Sequence, residues 1–348
     1  MFIIKRVKQS EEILQKKNQF DGYFVFGTKT FNKKTKRNKH IDSDKKLAWD
    51  FFIDKKTGLL KEEMAENRNC PICRRRNFKT LFIKDGFIHV NCKCGFIFVN
   101  PTASDKYRDV FFRDIYKSWI EVLLTSEEVL IDSKKFGYGL EFIENNVDST
   151  KNKGFMVDIG AGSGLFLKTA RDKGWKVSAV EFNQKSIDNI KKLGIEVFNK
   201  PLEEGIYPPD SVDVVTIWEV LEHVNYPNEF IKKIRNILKP GGHLFVCVPN
   251  IGALVTRILH EKSGTFGGFT HVNFFSIDTL SKLLQKHKFE ILVVDNVISE
   301  LGSINNYLSY EDPYTSDSSF NLDFLTSKYL YEHDLGSRIF ILCRKKEG

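Results

Sequence analysis

The chain of 348 residues has no apolar run near the roughly 18 residues that a membrane-spanning helix needs. Its N-terminal apolar stretch, Met1-Phe2-Ile3-Ile4, runs directly into charge and is too short for the core of a signal peptide. There are only six cysteines, and four of them cluster, which favours a metal site in a reducing compartment over a disulfide framework. We therefore expect a cytoplasmic protein without a membrane span.

A strong charge of one sign is also missing. The 53 Lys and Arg residues exceed the 45 Asp and Glu residues by +8, and the lysines are spread along the whole chain. This charge permits contact with an acidic substrate or a nucleic acid but does not require it. We interpret it as a solvated surface, with the basic run at 32–39 as a loop, and do not expect nucleic acid as a partner. Phenylalanine is abundant, with 30 residues, which implies a sizeable core.

The clearest pattern is the stretch FMVDIGAGSG at 155–164. An apolar run ends in Asp158, three glycines follow at alternate positions, and helical periodicity resumes at Leu165. A strand, a tight turn and a helix start in this order bring backbone N–H groups close to a polar or anionic ligand. A dinucleotide fingerprint would need a small residue where Leu165 stands. Glu181, at the tip of the next apolar run, can accept both hydroxyls of a ribose.

From residue 155 onward, apolar runs typical of buried strands alternate with amphipathic helices. Such alternation predicts a parallel sheet with helices on both faces, and ligands then bind at the carboxyl ends of the strands. We predict a doubly wound α/β fold with a mostly parallel, seven-stranded sheet. The predicted strands are 155–158, 177–180, 195–198, 212–218, 243–248, 290–297 and 338–343, and the predicted helices include 183–193 and 227–238.

Two cysteine pairs precede this region, Cys70-Pro-Ile-Cys73 and Cys92-Lys-Cys94. Two thiolate pairs in tight turns, separated by a strand-like stretch at 80–90, can converge to give zinc four sulfur ligands. The second pair has one intervening residue rather than two, so His89 is an alternative ligand to Cys92. A site with four protein ligands is closed and therefore structural rather than catalytic. Two pairs of free thiols are the alternative interpretation.

The composition divides the chain into four parts. Residues 1–69 show no chemistry, although 20–26 resembles a strand and 49–53 a short apolar cluster. The last part carries a polar, tyrosine-rich insertion, with a helix at 321–331. The predicted parts are an N-terminal region (1–69), a zinc-ribbon-like module (70–101), a helical linker (102–150) and an α/β domain (151–348) with the insertion at 300–336.

The spelling D-x-G-x-G-x-G with an acid about twenty residues beyond it resembles class I S-adenosylmethionine-dependent methyltransferases. So does the later run VDVVTIWEVLEHV…LKPGG…VPN. The resemblance covers 155–299 densely and 70–145 more loosely. It implies that 151–348 is the catalytic domain, that the helical linker covers the cofactor and that the insertion at 300–336 faces the acceptor. In the looser part, the cysteine pairs and the apolar run to Asn100-Pro101 resemble the zinc-ribbon leader of a group that tailors sugars and other small metabolites.

The resemblance implies a cofactor site made of acids, carbonyls and bare backbone. A donor that carries a sulfonium and an ammonium group is cationic, so it needs such groups rather than a phosphate cradle. Core packing is the alternative role for Phe182 and Leu202. The implied assignments are Asp158 and the backbone of Gly160, Ala161, Gly162 and Gly164 for the methionine end, Glu181 for the ribose, Phe182 for the adenine, Leu202 and Glu203 for the border of the base, and the backbone of Trp218 and Glu219 for the ammonium group.

Two histidines are candidates for a general base, which methyl transfer needs only if the acceptor is a hydroxyl or an acidic C–H. His223 follows the strand at 212–218, and His271 follows a glycine-rich segment at 264–268 that we interpret as a mobile lid. The ordinary pKa of imidazole suits such a base near neutrality. Alternatively, His223 packs the start of the next helix and His271 holds the lid to the core.

We therefore predict an S-adenosylmethionine-dependent methyltransferase that acts on a hydroxyl of a sugar, or of a similar polar small molecule or glycan. The alternatives are a sugar C-methyltransferase, an RNA methyltransferase and a non-enzymatic cofactor-binding scaffold. Asn250 lacks the Asn-Pro-Pro-aromatic spelling of many enzymes that methylate base amino groups, which argues against RNA. The intact glycines and acids argue against a scaffold. The oligomeric state stays open.

Overall fold

The computed structural model describes residues 4–26, 37–115, 119–147, 153–202, 205–308 and 324–347. The strands, in chain order, are β1 Ala65–Glu66, β2 Phe78–Lys84, β3 Phe87–Cys92, β4 Ile97–Val99, β5 Thr102–Ala103, β6 Phe155–Ile159, β7 Lys176–Val180, β8 Glu196–Phe198, β9 Val212–Trp218, β10 Leu238–Pro249, β11 Asn273–Phe274, β12 Phe289–Val297 and β13 Arg338–Lys345. The helices are α1 Glu11–Phe26, α2 Arg37–Phe52, α3 Asp105–Val110, α4 Trp119–Leu123, α5 Ser126–Glu144, α6 Leu165–Asp172, α7 Gln184–Lys192, α8 Pro227–Ile237, α9 Leu254–Leu259, α10 Ile277–Lys286, α11 Leu301–Leu308 and α12 Ser327–Glu332.

A seven-stranded sheet in the order β12-β13-β10-β9-β6-β7-β8 forms the centre of the molecule. The five strands from β10 to β8 run parallel, and β13 is antiparallel to both of its neighbours. The predicted doubly wound, mostly parallel sheet is confirmed. The strand order reverses between β6 and β9, so the carboxyl ends of these two strands flank a crevice of the kind that binds ligands.

The sequence makes these strands because their residues are buried on both faces. In β9, every residue except Asp213 is buried, which is the pattern of a central parallel strand. The helices present one apolar stripe each, as with Ile231 and Ile234 of α8. β10 begins at Leu238, not at the predicted residue 243, because the Lys239–Gly242 segment stays extended and shifts the register against β9.

The cysteine region forms a second sheet in the order β11-β4-β3-β2. The prediction of one strand over 80–90 was wrong, because a turn at Asp85-Gly86 folds this stretch into the hairpin of β2 and β3. β11 comes from the catalytic part of the chain and pairs with β4, with Phe98 opposite Asn273. The cysteine module and the catalytic part therefore share one sheet.

The N-terminal region is helical where a strand was predicted for 20–26. Lys17, Phe20 and Asp21 lie at helical spacing on α1 and are all buried. Two of these three buried residues are charged, so the apolar period that normally reveals a helix is absent. The predicted cluster at 49–53 lies largely within α2. The basic run was predicted to be a loop, but its residues 37–39 lie in the first turn of α2, and residues 32–36 lie outside the described residues.

The N-terminal segment also completes the central sheet. Val7 donates its N–H to the carbonyl of Val294, and Val294 donates to Lys5, so this segment covers the outer edge of β12. Covering an edge strand in this way removes a site for unwanted strand pairing. Among the described helices, none has both the length and the apolar content to cross a membrane.

The insertion at 300–336 contributes α11 and α12, with residues 309–323 outside the described ranges. The helix predicted for 321–331 begins at Ser327. Ile304 and Leu330 of these helices pack with Ala253 and Val255, next to the end of β10. Tyr331 also donates its O–H to Asp21 Oδ2 at 2.5 Å, which joins α12 to α1.

A buried ion pair fastens α1 to the sheet. Lys17 Nζ lies 2.7 Å from Asp295 Oδ1 and also donates to the carbonyl of Asn296 at 2.9 Å. Both side chains of the pair are fully buried. The second oxygen of Asp295 accepts the O–H of Tyr138 at 2.5 Å. Removal of one member of such a pair leaves the other charge buried without compensation.

We expect Lys17→Met to lower the free energy of unfolding by about 3–5 kcal/mol, because the buried carboxylate of Asp295 loses its cationic partner. The neighbouring Lys16→Met is the matched control. Lys16 lies on the same helix and pairs with Glu12 and Glu141 at the surface, so its loss should cost no more than about 1 kcal/mol. Urea denaturation followed by circular dichroism measures both values. Equal losses in the two variants would show that the buried pair does not stabilise the fold.

Candidate functional site

The glycine turn after β6 has the close backbone geometry that its sequence predicts. Gly160 and Gly164 adopt φ values of 76° and 75°, in the left-handed region. A Cβ atom at Gly160 would lie 2.6 Å from Val220 Cγ2, and one at Gly164 would lie 2.8 Å from Ile190 Cγ1. Both positions therefore need glycine, and the turn brings its backbone against the loop that follows β9.

Glu181, at the end of β7, is held against this turn. Its Oε2 accepts the N–H of Gly162 at 2.8 Å, and its Oε1 accepts the N–H groups of Phe182 and Asn183 at 2.7 and 2.8 Å. Burial raises the pKa of Glu181, and these three backbone donors oppose that rise. A carboxylate has about four acceptor sites, so Glu181 keeps capacity for a further hydroxyl donor. The prediction that Glu181 binds the ribose stays a prediction, and the structure places the carboxylate against the glycine turn.

Asp158 ends β6 beside the first glycine of the turn. Its side chain is buried and accepts the O–H of Thr216, on the neighbouring β9, at 2.7 Å. Burial raises the pKa of Asp158 to about 8. A carboxylate in this state would be stabilised by a cation bound in the crevice, because opposite charge favours the ionised form.

The residues predicted to surround the base and the ammonium group differ in how far their side chains are buried. Phe182 is 51% exposed, so it is not a core residue, whereas Leu202 packs against the core. Glu203 lies outside the described residues. The ring of Trp218 is buried among Phe136, Phe166, Phe245 and Phe340, and within the described part of the chain its Nε1 has no hydrogen-bond partner.

Glu219 follows β9 in a left-handed conformation, with φ of 53°, and its side chain pairs with Arg338. Arg338 Nη1 also lies 3.7 Å from Glu300 Oε1. Burial acts to raise the pKa of Glu219, but Arg338 and Lys135 hold it below its usual range. Arg338 and Lys135 were not predicted as site residues. They come from β13 and α5, far along the chain, so no local pattern places them beside β9.

The side chains of the two predicted histidines lie next to each other. The ring centroids of His223 and His271 are 4.9 Å apart. His223 Nδ1 lies 2.9 Å from the carbonyl oxygen of Thr270, and His271 Nδ1 lies 2.9 Å from that of Thr265. A carbonyl only accepts, so each Nδ1 carries the proton and each Nε2 presents a lone pair. Burial lowers the pKa of His223 to about 3 and also lowers that of His271, so both rings are neutral at pH 7.

Glu222 lies next to these rings and was not predicted. Its side chain is 1% exposed, and in the described part of the chain neither carboxylate oxygen has a hydrogen-bond partner. Burial raises its pKa well above the ordinary value. Ligand atoms of Glu222, His223 and His271 all lie within 4.8 Å of one another. This group can take up a proton, or hold a cation between its oxygen and nitrogen atoms.

The glycine-rich segment before His271 packs against the cysteine module. Phe266 and Phe269 are buried, and their rings contact Phe82 and Phe87 of the cysteine module. His271 donates its backbone N–H to Gly267 across this turn. The packing favours a fixed wall of the site over the mobile lid that we predicted for 264–268.

The four cysteines converge as predicted. Cys70 Sγ lies 3.6 Å from Cys94 Sγ, and Cys73 Sγ lies 3.5 Å from Cys92 Sγ. A tetrahedron of sulfurs with metal–sulfur bonds of about 2.3 Å has edges of about 3.8 Å, so these spacings suit a single zinc ion. Backbone N–H groups of Ile72 and Cys73 point at Cys70, and that of Phe96 points at Cys94.

His89 is not part of this group, so its prediction as a substitute ligand was wrong. Its Nδ1 bonds the carbonyl oxygen of Phe87 at 3.1 Å, and its ring stacks on Phe82 with centroids 4.6 Å apart. Side chains alternate along β3, which places His89 on the face opposite to that of Cys92. Cys92 reaches the cluster despite the shorter spacing of its pair.

Comparison with known proteins agrees with this geometry. A family described as "Methyltransferase domain" matches residues 134–294. The ubiquinone biosynthesis O-methyltransferase, mitochondrial, of Schizosaccharomyces pombe is 30% identical over 196 residues, which are 52% of this chain and 70% of that protein. The chain belongs to the class I S-adenosylmethionine-dependent methyltransferases. The family match at 134–294 contains the glycine turn, Glu181, Glu222 and both histidines of this methyltransferase. The four cysteines and Arg338 lie outside it.

Other relatives match a smaller part of the methyltransferase. The ubiquinone biosynthesis O-methyltransferase of Caulobacter vibrioides is 34% identical over 105 residues, which are 27% of this chain and 40% of that protein. A methyltransferase structure from Thermotoga maritima has 21% identity and a TM-score of 0.42, and the match covers 61% of this chain and 89% of that one. Apart from the fission-yeast protein, the chain spans about half or less of the relatives' length.

Proposed function

We propose that this methyltransferase moves the methyl group of S-adenosylmethionine to a hydroxyl oxygen of a small polar metabolite, with a sugar hydroxyl as the first candidate. The observation that carries the proposal is the pair of neutral imidazoles, His223 and His271, each with an unprotonated Nε2. Hydroxyl acceptors need such a base at neutral pH. The printed names of the relatives, which are O-methyltransferases, agree with an oxygen acceptor.

The residues at the ends of β6 and β7 fit a cationic cofactor. S-adenosylmethionine supplies, when bound, a methyl group on a positively charged sulfur. Glu181 would accept the ribose hydroxyls with its remaining acceptor capacity, and the half-exposed Phe182 would lie beside the adenine. Asp158, the backbone of Gly160, Ala161, Gly162 and Gly164, and the carbonyls of Trp218 and Glu219 would hold the methionine end. Leu202 would border the base from within the core.

The histidines would act on the acceptor. The hydroxyl proton passes to Nε2 of His223 or His271 while the acceptor oxygen bonds to the methyl carbon and the carbon–sulfur bond breaks. The resulting imidazolium would be stabilised by Glu222, which lies beside both rings and has no other partner in the described residues. Both rings are oriented by carbonyl oxygens, so their Nε2 atoms stay in place without the acceptor.

The charged surroundings of Glu219 favour a polar acceptor. Lys135, Arg338 and Glu300 cluster with Glu219 beside the histidines, and Glu222 is influenced by the charge of Glu219. An acceptor with several hydroxyls could hydrogen-bond to these groups, whereas an apolar chain would displace their water without replacing its hydrogen bonds. Phenols, sugar carbons and RNA are the other acceptor classes that an activity screen distinguishes.

We also propose that the four cysteines hold a structural zinc ion. The group offers four sulfur ligands, which fill the tetrahedral coordination of zinc and leave no open position for a catalytic water. All six cysteines are unpaired, which fits a reducing compartment and hence the cytoplasm.

Glu181→Gln tests the cofactor site. The amide nitrogen of glutamine cannot accept a hydrogen bond as a carboxylate oxygen does. We therefore expect the binding free energy of S-adenosylmethionine to weaken by about 1.5–3 kcal/mol for each charged hydrogen bond lost. The matched control is Glu196→Gln, because Glu196 is exposed on the next strand, β8. Isothermal titration calorimetry measures both. Unchanged affinity in Glu181→Gln would remove Glu181 from the cofactor site.

A screen with radiolabelled S-adenosylmethionine tests the acceptor. We expect label on hydroxyl oxygens of free or nucleotide-linked sugars, and a fall in kcat of roughly 10²–10⁴ for His223→Asn or His271→Asn if that ring is the base. His333→Asn is the control, because His333 is exposed on the surface. Burial lowers the pKa of His223 to about 3, so kcat should stay level as the pH falls from 8 to 6 if His223 is the base.

Label found on phenols alone would support an oxygen acceptor but contradict a sugar as the substrate. Label on RNA or on carbon would contradict the proposed reaction. Full kcat in both histidine variants, with methylated oxygen still formed, would remove the general base from the proposal.

Metal analysis tests the zinc site. We expect one zinc ion per chain in the purified protein and its loss in Cys73→Ser, together with a lower melting temperature, because structural zinc contributes directly to folding. Cys343→Ser is the control, since Cys343 is buried in β13, outside the cluster. Zinc retained in Cys73→Ser, or absent from the native protein, would contradict a four-sulfur site.

A further inference from the structure

Two arginines, Arg68 and Arg108, are buried next to the histidine loops. Their side chains belong to residues that are 7% and 3% exposed. Within the described ranges no carboxylate lies within 4.0 Å of either guanidinium. Burial of a cation without an anion costs several kcal/mol unless its N–H groups find other acceptors. The acceptors that these two arginines use therefore indicate what they do.

Arg108, on α3, donates to three backbone carbonyls. Its Nη1 lies 3.1 Å from the carbonyl oxygen of Phe269, and its Nη2 lies 2.8 Å from that of His223 and 2.9 Å from that of Thr270. One guanidinium thus joins the loop that carries His223 to the loop that carries His271. The carbonyl of Thr270 is also the acceptor for His223 Nδ1. Arg108 therefore fixes the oxygen that sets the tautomer of His223.

Arg68 makes the second connection between the same loops. Its Nη2 lies 2.5 Å from the carbonyl oxygen of Val272, the residue after His271. Its Nη1 lies 2.8 Å from the carbonyl oxygen of Asn225, two residues after His223, and 3.1 Å from Asn273 Oδ1. The two arginines thus bond to residues that flank each histidine, and in this way they connect the two loops.

Both arginines come from outside the catalytic sheet. Arg68 precedes the first cysteine pair, and its Nε donates to the carbonyl of Val99 on β4 of the cysteine module. Its backbone N–H donates to Asn100 Oδ1 at 2.8 Å. Arg108 lies in the last turn of α3, the first helix after the same module. The position of the histidine loops therefore depends on the fold of the cysteine module.

We propose that Arg68 and Arg108 are positioning residues, which hold the loops of His223 and His271 so that both Nε2 atoms face the acceptor. Through them the cysteine module sets the geometry of the active site. This inference rests on the proposed function of the histidines. A purely packing role would not require guanidinium groups, because apolar side chains of similar volume fill buried space without the cost of desolvating a charge.

Nuclear magnetic resonance of the imidazole nitrogens tests the inference without an acceptor. In the full-length protein labelled with ¹⁵N-histidine, we expect His223 as a single Nδ1–H tautomer. In Arg108→Met, we expect a mixture of tautomers for His223, while the Kd for S-adenosylmethionine changes less than about twofold. Arg108→Lys can donate to some of the three carbonyls, so it should restore part of the single tautomer. Arg257→Met, on the exposed side of α9, is the control and should change neither value.

The activity readout uses the sugar or phenol that the screen identifies. We expect kcat of Arg108→Met to fall roughly 10²-fold with the KM for S-adenosylmethionine little changed, because a displaced base loses its alignment. His223→Asn combined with Arg108→Met should add little to either single change. An unchanged His223 tautomer in Arg108→Met would overturn the inference. If that variant does not fold, a single His223 tautomer together with unchanged kcat in Arg108→Lys would overturn it. Failure of the proposed function alone would instead show the expected mixture of tautomers in Arg108→Met and no methylated hydroxyl with the native protein.

Discussion

Buried carboxylates at the carboxyl ends of parallel strands are the feature on which the rest of the site depends. Asp158, Glu181 and Glu222 all have pKa values raised by burial, and each would be stabilised by positive charge or by hydroxyl donors in the crevice. A site built to bind phosphate would show cations here instead. The charge of a sulfonium donor thus complements the crevice, and the glycine turn lets the donor approach the backbone.

The second half of the site depends on contacts between distant parts of the chain. β11 joins the cysteine sheet, and Val272, beside it, donates its N–H to the carbonyl of Glu222. Asn273 adds bonds to the carbonyls of Leu221 and Val224. The loop after β9 and the loop before β11 therefore form one unit, with the cysteine module as its support. In this arrangement the cysteine module supports the position of both loops without contributing a side chain to the group of Glu222, His223 and His271.

Local patterns predicted the catalytic sheet well. Strand β9 was predicted residue for residue, because its apolar run and the flanking turns are contiguous in sequence. Helix α1 was missed because its buried face contains Lys17 and Asp21, whose partners lie near residues 295 and 331. Glu222, Arg108 and Arg338 were missed for the same reason: their roles come from burial and from at least one partner far away in the chain, such as Glu219 for Arg338.

The central claim is that the crevice between β6 and β9 holds a positively charged methyl donor by means of these acids. A crystal structure with S-adenosylhomocysteine bound tests it most directly. The account predicts the ribose hydroxyls on Glu181, the adenine beside Phe182, and the sulfur directed toward His223 and His271. An empty crevice at saturating ligand, or a ribose bound away from Glu181, would contradict it.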